Sequence, residues 1–258
     1  MTYETVNVRA QGHFRFLTLN RPEARNAINS QLVSDLTTAL GHCETSATVV
    51  VLEGLPDVFC TGADFAEVEE VSNAQADARA ETEALYDLWR SLANGSFVSI
   101  AHVRGETRAG GMGFVAAADI VIADEGANFA LPEMLFGLMP ACVFPFLSRR
   151  IGSQAASYLT FTTSTISADE ARQIGLVDVV SRDSRDSVRR HLIKLQVLRK
   201  EKIAQFKAFR TELGNPLNEA RNAALAANLA MFSDPASLRA ISHFRRTGQI
   251  LREVESHD

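Results

Sequence analysis

Short apolar runs alternate with helical stripes of apolar residues over the first two thirds of the chain. Four runs rich in β-branched residues predict strands, at residues 14–19, 49–52, 98–103 and 120–123. Between the first two, residues 30–43 carry a leucine at every fourth position, as the buried side of a helix requires. Strands separated by helices need crossover connections, so the pattern predicts a mainly parallel sheet with helices packed on it.

The last third of the chain is almost wholly helical in pattern. Ser167-Ala168-Asp169-Glu170 has the sequence of a capping box, and residues 177–180 form one more short strand-like run. The helices that follow are broken near Gly214-Asn215-Pro216 and Ser233-Asp234-Pro235. We therefore predict one α/β domain over residues 1–258, with its core in 1–185 and a helical C-terminal section in 186–258.

Composition excludes several classes of protein. A chain of 258 residues with 46% hydrophobic residues and a net charge of −5 is an ordinary globular one. Mild acidity argues against nucleic acid as a partner. The longest apolar stretch, residues 134–147, is short of the roughly 20 residues that span a membrane. Three scattered cysteines and the lack of an export signal predict a cytoplasmic protein.

Charge is unevenly distributed along the chain. Residues 64–87 hold eight acids and one base, whereas residues 189–210 hold eight bases and one acid. Such runs are commonly solvated helix faces. The alternative is that the basic run meets an anionic partner, such as a phosphate or an acidic protein.

Two segments combine a preceding strand, a short glycine loop and a helix start. They are Phe59-Cys60-Thr61-Gly62-Ala63-Asp64, here called the first loop, and Arg108-Ala109-Gly110-Gly111-Met112-Gly113, the second loop. Backbone N–H groups in such loops point outward, and glycine lets a ligand come close. Each loop alone is equally an ordinary turn, but two on neighbouring strands can aim one N–H each at a single oxygen. That arrangement is an oxyanion hole.

One carboxylate stands among apolar residues in Leu131-Pro132-Glu133-Met134-Leu135-Phe136-Gly137. An acid in such a setting is either paired or has a raised pKa suited to proton transfer, although a glutamate at a helix start is also a favourable dipole partner. The histidines and cysteines show no metal-ligand spacing, so no metal site is predicted.

Motifs in the same order resemble those of the crotonase, or enoyl-CoA hydratase/isomerase, superfamily. They are the opening N-R-P-x-x-x-N-A at residues 20–27, the two loops, P-E-x-x-x-G at residues 132–137, and P-x₈-R-x-I-G at residues 140–152. The resemblance implies a crotonase-like spiral of ββα units, a homotrimer or hexamer, and thioester substrates on the phosphopantetheine of CoA or an acyl carrier protein, with no other cofactor. It further implies that Ala63 and Gly110 supply the oxyanion-hole N–H groups, with Gly111 beside them as a substrate contact.

One position differs from the hydratases of this family and indicates which subgroup the chain resembles. The hydratases carry two glutamates; the later matches Glu133, but the earlier falls on Gly113. A single carboxylate is typical of isomerases and of the members in polyketide β-branching cassettes of the bacillaene type. Further segments resemble the latter: Leu52-Glu53-Gly54-Leu55-Pro56, Leu85-Tyr86-Asp87-Leu88-Trp89, His102-Val103-Arg104-Gly105, Leu135-Phe136-Gly137-Leu138 and Met231-Phe232-Ser233-Asp234-Pro235.

This resemblance implies dehydration of 3-hydroxy-3-methylglutaryl-acyl carrier protein to the 3-methylglutaconyl thioester, with the acyl carrier protein as partner. Three alternatives stay open. They are decarboxylation of the 3-methylglutaconyl thioester, a Δ3,Δ2-enoyl-CoA isomerase or hydratase activity, and a non-catalytic carrier-protein scaffold.

The expected chemistry assigns roles to individual side chains. Glu133 takes the C2 proton and returns it to the departing hydroxyl on the same face. Asp64 and Glu106 are candidates for a second acid–base group, although Asp64 also suits a helix start. The substrate's far carboxylate needs a cation, for which Arg108 is nearest in sequence. Arg25 is a candidate contact for CoA phosphates, since the neighbouring Glu23 stands where many CoA-using relatives have a lysine or arginine.

Overall fold

The computed structural model describes residues 3–64 and 75–251. Its larger sheet has six strands, arranged in the order β1 (Val6–Gln11), β2 (Phe14–Leu19), β3 (Val49–Glu53), β5 (Val98–Val103), β7 (Ile120–Asp124) and β10 (Val179–Ser181). β1 and β2 pair antiparallel, and every other neighbouring pair is parallel. The parallel sheet predicted from the alternating pattern is therefore confirmed.

A smaller sheet contains four short strands. In order they are β4 (Val58–Cys60), β6 (Glu106–Arg108), β8 (Asn128–Ala130) and β9 (Ile166–Ser167), of which the first three are parallel. Strands β3, β5 and β7 of the larger sheet are each followed directly by one strand of the smaller sheet. The chain thus winds as a spiral in which each turn visits both sheets, and each loop beyond the smaller sheet lies at the same edge.

Helices connect the turns of the spiral and form the C-terminal section. They are α1 (Ser30–Ser46), α2 (Gln75–Asn94), α3 (Gly111–Ala117), α4 (Phe144–Thr162), α5 (Ala168–Gln173), α6 (Ser184–Leu195), α7 (Lys200–Leu213), α8 (Pro216–Phe232) and α9 (Pro235–Thr247), with short 3₁₀ helices at Pro22–Ala24 and Glu133–Phe136. The side chain of Asn29 caps α1 by accepting from the Leu32 N–H, and Ser167 and Glu170 form the predicted capping box of α5. Within the described residues, no helix is long and apolar enough to cross a bilayer.

A hydrophobic core joins the larger sheet to the helices. One continuous cluster of buried residues includes Leu17 and Val50 of the sheet, Leu36 of α1, and Leu217 and Leu225 of α8. Helix α8 of the C-terminal section therefore shares the core of the spiral. The burial of these side chains is the main stabilising contribution, at roughly 1.5–3 kcal/mol for each large aliphatic residue.

The basic run does not present one free cationic face. Six of its eight bases form ion pairs or hydrogen bonds within the chain: Arg189, Arg190, Lys200, Lys202, Lys207 and Arg210. Lys207 is the clearest case, because its buried ammonium lies 2.6 Å from the Asp119 carboxylate. An anionic partner would meet a surface with far less charge than the sequence indicates.

The acidic run is only partly described. Residues 65–74 lie outside the described residues, and with them the predicted helix start after Asp64. Further along, Arg221 lies 2.7 Å from Asp87 and 3.6 Å from Glu83, so these two acids join α2 to α8. Solvent screening makes the contribution of such ion pairs to stability small.

Candidate active site

The two glycine loops and the Glu133 segment open onto one cavity of about 1520 Å³. α8 and α9 contribute part of its far wall, through residues that include Asn228 and Phe244. Seven of the eight predicted site residues line it: Arg25, Ala63, Asp64, Glu106, Arg108, Gly110 and Glu133. The structure therefore brings together residues that are far apart in the sequence.

Direct contact between the two loops defines one end of the cavity. Gly62 has a φ of +93°, and a Cβ built on it would lie 2.7 Å from the Ala109 Cβ and 3.3 Å from the Gly110 nitrogen. Only glycine fits there, since a side chain would be both strained and in collision. Ala109 itself has a φ of +46°, which turns the chain directly before Gly110. The loops are thus held at van der Waals distance.

The N–H groups of Ala63 and Gly110 are available to a ligand. The Ala63 loop is held by a hydrogen bond on either side of it, from Ile28 N–H to the Gly62 carbonyl (2.7 Å) and from Asp64 N–H to the Ile28 carbonyl (2.8 Å). Across residues 3–64 and 75–251, no hydrogen bond is made by either the Ala63 or the Gly110 N–H. A Cβ on Gly110 would stand 3.9 Å from the Ala63 nitrogen, so the two donors are close neighbours. This placement supports the oxyanion-hole prediction.

Glu133 presents a carboxyl group that burial keeps neutral up to about neutral pH. Its segment begins a 3₁₀ helix that ends at Gly137, whose φ of +70° suits glycine. The Oε2 atom is buried and, within the described parts of the chain, has no hydrogen-bond partner. Burial raises the pKa of Glu133 from 4.5 to about 7, against a smaller opposing effect of its own backbone N–H. Glu133 therefore has the pKa of a base that works near neutrality.

A cluster of three charged residues lies on the wall beside the second loop. The Glu106 carboxylate binds the guanidinium groups of both Arg25 and Arg108. Both arginines stay well exposed, at 55% and 41% of their side-chain surface. Two cations on one anion leave a net positive charge facing the cavity. Glu106 is engaged in these pairs, which argues against the free acid–base role considered for it.

Asp64 is held in an ion pair. Its Oδ2 lies 3.0 Å from the Arg21 guanidinium, and both side chains are mostly buried. The ion pair occupies the Asp64 carboxylate with a residue of the N-terminal opening. The structure thus favours a structural role, in which Asp64 joins the first loop to the N-terminal opening, over the predicted catalytic one.

Gly111 lies beneath the second loop and not on the cavity wall. It is buried, and a Cβ on it would overlap the Cys60 carbonyl oxygen and lie 3.0 Å from the Cys60 Cβ. Close packing against the first loop accounts for this glycine. The predicted substrate contact therefore needs correction: the position lets the loops approach and does not face the ligand.

Within the described residues, no cluster of three or more His, Cys, Asp or Glu side chains could hold a metal ion. The site geometry instead consists of two free N–H groups, one protonatable carboxyl and a cationic wall. Such a set is suited to a substrate carbonyl whose neighbouring carbon loses a proton.

Comparison with known proteins identifies the family. The profile of the enoyl-CoA hydratase/isomerase family matches residues 10–248. The chain belongs to that family. It is 49% identical over 251 residues to Bacillaene synthase dehydratase PksH of Bacillus subtilis (strain 168), with 96% of each chain covered. It is 36% identical over 178 residues to 2,3-dehydroadipyl-CoA hydratase of Escherichia coli (strain K12), which covers 67% of this chain and 68% of the relative.

Solved structures agree with the spiral. The crystal structure of PksH, a polyketide biosynthesis enoyl-CoA hydratase from Bacillus subtilis, superposes with a TM-score of 0.91 at 47% identity, covering 97% of this chain and 100% of the other. An enoyl-CoA hydratase from Mycobacterium avium gives 0.84 at 25% identity, covering 96% and 98%. The crotonase-like α/β fold is confirmed, and the chain is an enzyme of the dehydratase and hydratase type.

An aromatic ring packs against Gly113, where the resemblance to the hydratases would place a second glutamate. A Cβ on Gly113 would lie 2.5 Å from Cζ2 and 2.8 Å from Cδ2 of Trp89. Trp89 comes from α2, is 1% exposed and contributes to the cavity wall. A glutamate at residue 113 would need the indole to move. The single-carboxylate pattern read from the sequence thus has a steric basis.

Asn26 is a site-forming residue whose role sequence reasoning left unexplained. It is fully buried in a left-handed conformation with a φ of +55°. Its amide donates to the Phe59 carbonyl at 3.0 Å and accepts from the Arg21 N–H at 2.8 Å. The N-R-P-x-x-x-N-A opening was the available signal: its asparagine ties the N-terminal segment to the strand that leads into the first loop.

Proposed function

We propose that this enzyme dehydrates 3-hydroxy-3-methylglutaryl-acyl carrier protein to 3-methylglutaconyl-acyl carrier protein. The observation that carries the proposal is that Glu133, a buried carboxyl with a raised pKa, lines the same cavity as the two free N–H groups, with Trp89 packed against Gly113. The similarity to PksH, a dehydratase by name, supports the same reaction type.

The proposed reaction begins at C2 of the thioester. The thioester oxygen accepts hydrogen bonds from the N–H groups of Ala63 and Gly110, which stabilise the negative charge that develops on it. The ionised Glu133 takes a C2 proton, and the electron pair of the broken C2–H bond forms the enolate. The enolate electrons then form the C2–C3 double bond as the C3–O bond breaks. Glu133 returns its proton to the departing hydroxide, so the products are water and the unsaturated thioester.

The cationic wall supplies a place for the substrate's far carboxylate. Arg108 and Arg25 flank Glu106 and leave one net positive charge on the cavity surface. An acyl chain that ends in a carboxylate meets this charge, whereas an unsubstituted fatty acyl chain gains nothing from it. The wall therefore favours a dicarboxylic acyl group, with Arg108 as its first contact.

The proposed carrier is a protein, because the cavity wall offers little to CoA phosphates. Glu23 also lines the cavity, and its side chain is 70% exposed. The acid repels the phosphates of CoA, while a carrier protein presents only one phosphodiester at the serine.

Glu23→Lys should raise kcat/KM for the CoA thioester several-fold through a lower KM, with kcat unchanged. The reason is that a cation replaces a repelling acid, an effect that rising salt should weaken. Steady-state kinetics on both carriers at low and high ionic strength measure this. Glu212→Lys, an equal charge change at an exposed site away from the cavity, serves as the control. Equal gains from both variants, or a wild type indifferent to the carrier, would contradict the carrier proposal.

The assembly is also a proposal. A homotrimer or hexamer is supported by large apolar side chains exposed on α4 and α7: Tyr158, Phe161, Phe206, Phe209 and Leu213. Their burial against other copies of the chain would remove apolar surface from water.

Mass spectrometry of the loaded carrier tests the reaction. Incubation of 3-hydroxy-3-methylglutaryl-carrier protein with the enzyme should give an acyl group lighter by one water, and a 3-hydroxybutyryl group on the same carrier should react far more slowly. Loss of carbon dioxide from the 3-methylglutaconyl thioester would instead indicate the decarboxylase. A shifted double bond without a change of mass would indicate the isomerase. If none of these thioesters reacts, the non-catalytic carrier-protein scaffold would be the remaining alternative.

A further inference from the structure

Helix α9 has a cationic outer face. Arg239 and Arg246 stand seven residues apart, about two helical turns, so they lie on the same side of the helix. Both side chains are exposed, and within the described chain neither forms an ion pair. The helix contains no acid. Hydrogen bonds from its first turn lower the pKa of Asp234, the acid directly before it, and the charge of Arg239 adds a smaller effect.

The opposite face of α9 packs on the segment that carries Glu133. Ile241 is buried at 1% exposure, in a small apolar cluster with Phe136. The ring of Phe244 meets the ring of Phe136 edge-on, with a centroid distance of 4.9 Å. One side of the helix thus lies against the Glu133 segment, and the two arginines stand on the other side, towards solvent.

The cavity opens to solvent beside α9. Three apolar side chains line the cavity and are also exposed: Leu135 at 40%, Met139 at 45% and Ile250 at 40%. Ile250 follows directly after α9, whose Phe244 lines the same cavity. Side chains that belong to both the lining and the surface mark an entrance. An apolar entrance therefore runs past the helix that carries the two arginines.

The overall charge of the enzyme offers an acidic partner no attraction. The chain carries −5, and most of the basic run is engaged within the chain. A carrier protein, which presents an acidic surface, therefore needs a local cationic surface close to the entrance. The outer face of α9 is such a surface. Beside it, the apolar entrance suits the apolar centre that protein interfaces have within a polar rim.

We propose that the acidic carrier protein docks on the outer face of α9. The inference rests on the proposed function and adds the surface by which the enzyme recognises its carrier. Arg239 and Arg246 pair with carboxylates of the carrier, and the pantetheine arm enters past Met139 and Ile250 towards Glu133. Recognition of the carrier lies outside the cavity, so it acts on encounter and binding and leaves the chemical steps unchanged.

Charge reversal on α9 distinguishes docking from chemistry. In Arg239→Glu/Arg246→Glu, kcat/KM for 3-hydroxy-3-methylglutaryl-carrier protein should fall about tenfold or more at low salt, mainly through KM, because complementary charge accelerates encounter by at least that factor. The same acyl group on free pantetheine should react equally fast with the variant and the wild type, since it has no acidic surface to place on α9. The difference on the carrier should shrink as salt rises.

Lys194→Glu/Lys202→Glu is the matched control, with the same change of charge at two exposed lysines of the basic run. It should keep wild-type efficiency on the carrier. An equal loss in this control, or no loss in the α9 variant, would overturn the inference. An equal loss with free pantetheine would overturn it as well, because the substitutions would then disturb the site itself. A smaller assembly of the α9 variant in light scattering would instead assign the face to contact with another copy of the chain.

Binding measured without turnover keeps this inference apart from the proposed function. The probe is an acyl carrier protein of net negative charge whose pantetheine carries a 3-methylglutaryl amide, and its binding is followed by fluorescence anisotropy. The α9 variant should bind it about tenfold more weakly than the wild type. If the wild type binds the probe through α9 but dehydrates no thioester, the proposed reaction is wrong and the docking surface stands. If the wild type dehydrates the carrier-bound substrate, and either does not bind the probe or binds it no better than the variant, the function stands and the docking surface is wrong.

Discussion

Glu133→Gln should lower the turnover of the dehydration by about 10²-fold or more, the range for a positioned acid–base group. Glutamine keeps the shape of the side chain but cannot take the C2 proton. The fold should be unaffected, because the substitution removes a charge that burial disfavours. Glu219→Gln, the same change on an exposed stretch of α8, is the matched control and should retain full turnover. Near-normal turnover in a folded Glu133→Gln enzyme would remove Glu133 from the mechanism.

If Glu133 is the base, kcat/KM of the wild type should also depend on pH. Burial raises the pKa of Glu133 to about 7, so the group is protonated and inactive as a base at lower pH. The value of kcat/KM should therefore rise with pH through a midpoint of about 7 and level off above it. A profile that is already flat above the ordinary value of 4.5 would show that another group accepts the proton.

Gly62→Ala should reduce turnover by about 10²-fold, as measured for the loss of one oxyanion-hole donor elsewhere. The new Cβ would press on Ala109 at 2.7 Å and on the Gly110 nitrogen at 3.3 Å, which moves one N–H away from the other. The KM should change less than kcat, because the donors act mainly on the charge that develops in the transition state.

Gly175→Ala is the control that distinguishes the collision of a residue 62 Cβ with the second loop from the effect of backbone strain. Gly175 has a φ of +81°, comparable with +93° at Gly62, but a Cβ there meets nothing within 4 Å. Both variants carry the left-handed penalty of about 1–2 kcal/mol, so both should melt at lower temperature. Turnover at a temperature where both are folded should fall only in Gly62→Ala. Equal turnover in the two variants would contradict the oxyanion-hole assignment.

Much of the fold follows from local sequence signals. Strand β2 at Phe14–Leu19 and strand β5 at Val98–Val103 have the predicted bounds, and the breaks before Pro216 and Pro235 are helix starts. The last strand begins at Val179, two residues later than the pattern indicated. Longer apolar runs and proline positions carry enough information to place these elements.

The smaller sheet was not predicted, for a physical reason. Its strands have two or three residues each, as at Val58–Cys60 and Glu106–Arg108, which is too short for an alternating pattern to show. They form because neighbouring turns of the spiral place them side by side. That is tertiary information, and only the resemblance to the crotonase superfamily supplied it.

Some features of the candidate site could likewise be predicted from sequence motifs, whereas others depend on the tertiary fold. Its backbone donors and Glu133 could be named from motifs, since glycine loops and an acid among apolar residues are visible in a sequence. The ion pairs Asp64–Arg21 and Glu106–Arg25 could not, because their members lie 43 and 81 residues apart along the chain. The same holds for Trp89 over Gly113, which depends on how α2 packs against α3.

The fate of a C2 deuterium during dehydration shows whether one carboxylate both takes the proton and returns it to the hydroxyl. Two samples of 3-hydroxy-3-methylglutaryl-carrier protein, each with deuterium at one of the two C2 positions, are converted by the wild type. The mass and double-bond geometry of the product then show which C2 hydrogen left relative to the hydroxyl. A single carboxylate that takes the proton and returns it to the hydroxyl predicts complete loss of the label on the hydroxyl's face and full retention of the other. Loss from the opposite face, or dehydration that removes both labels in part, would require a second acid–base group and contradict the account.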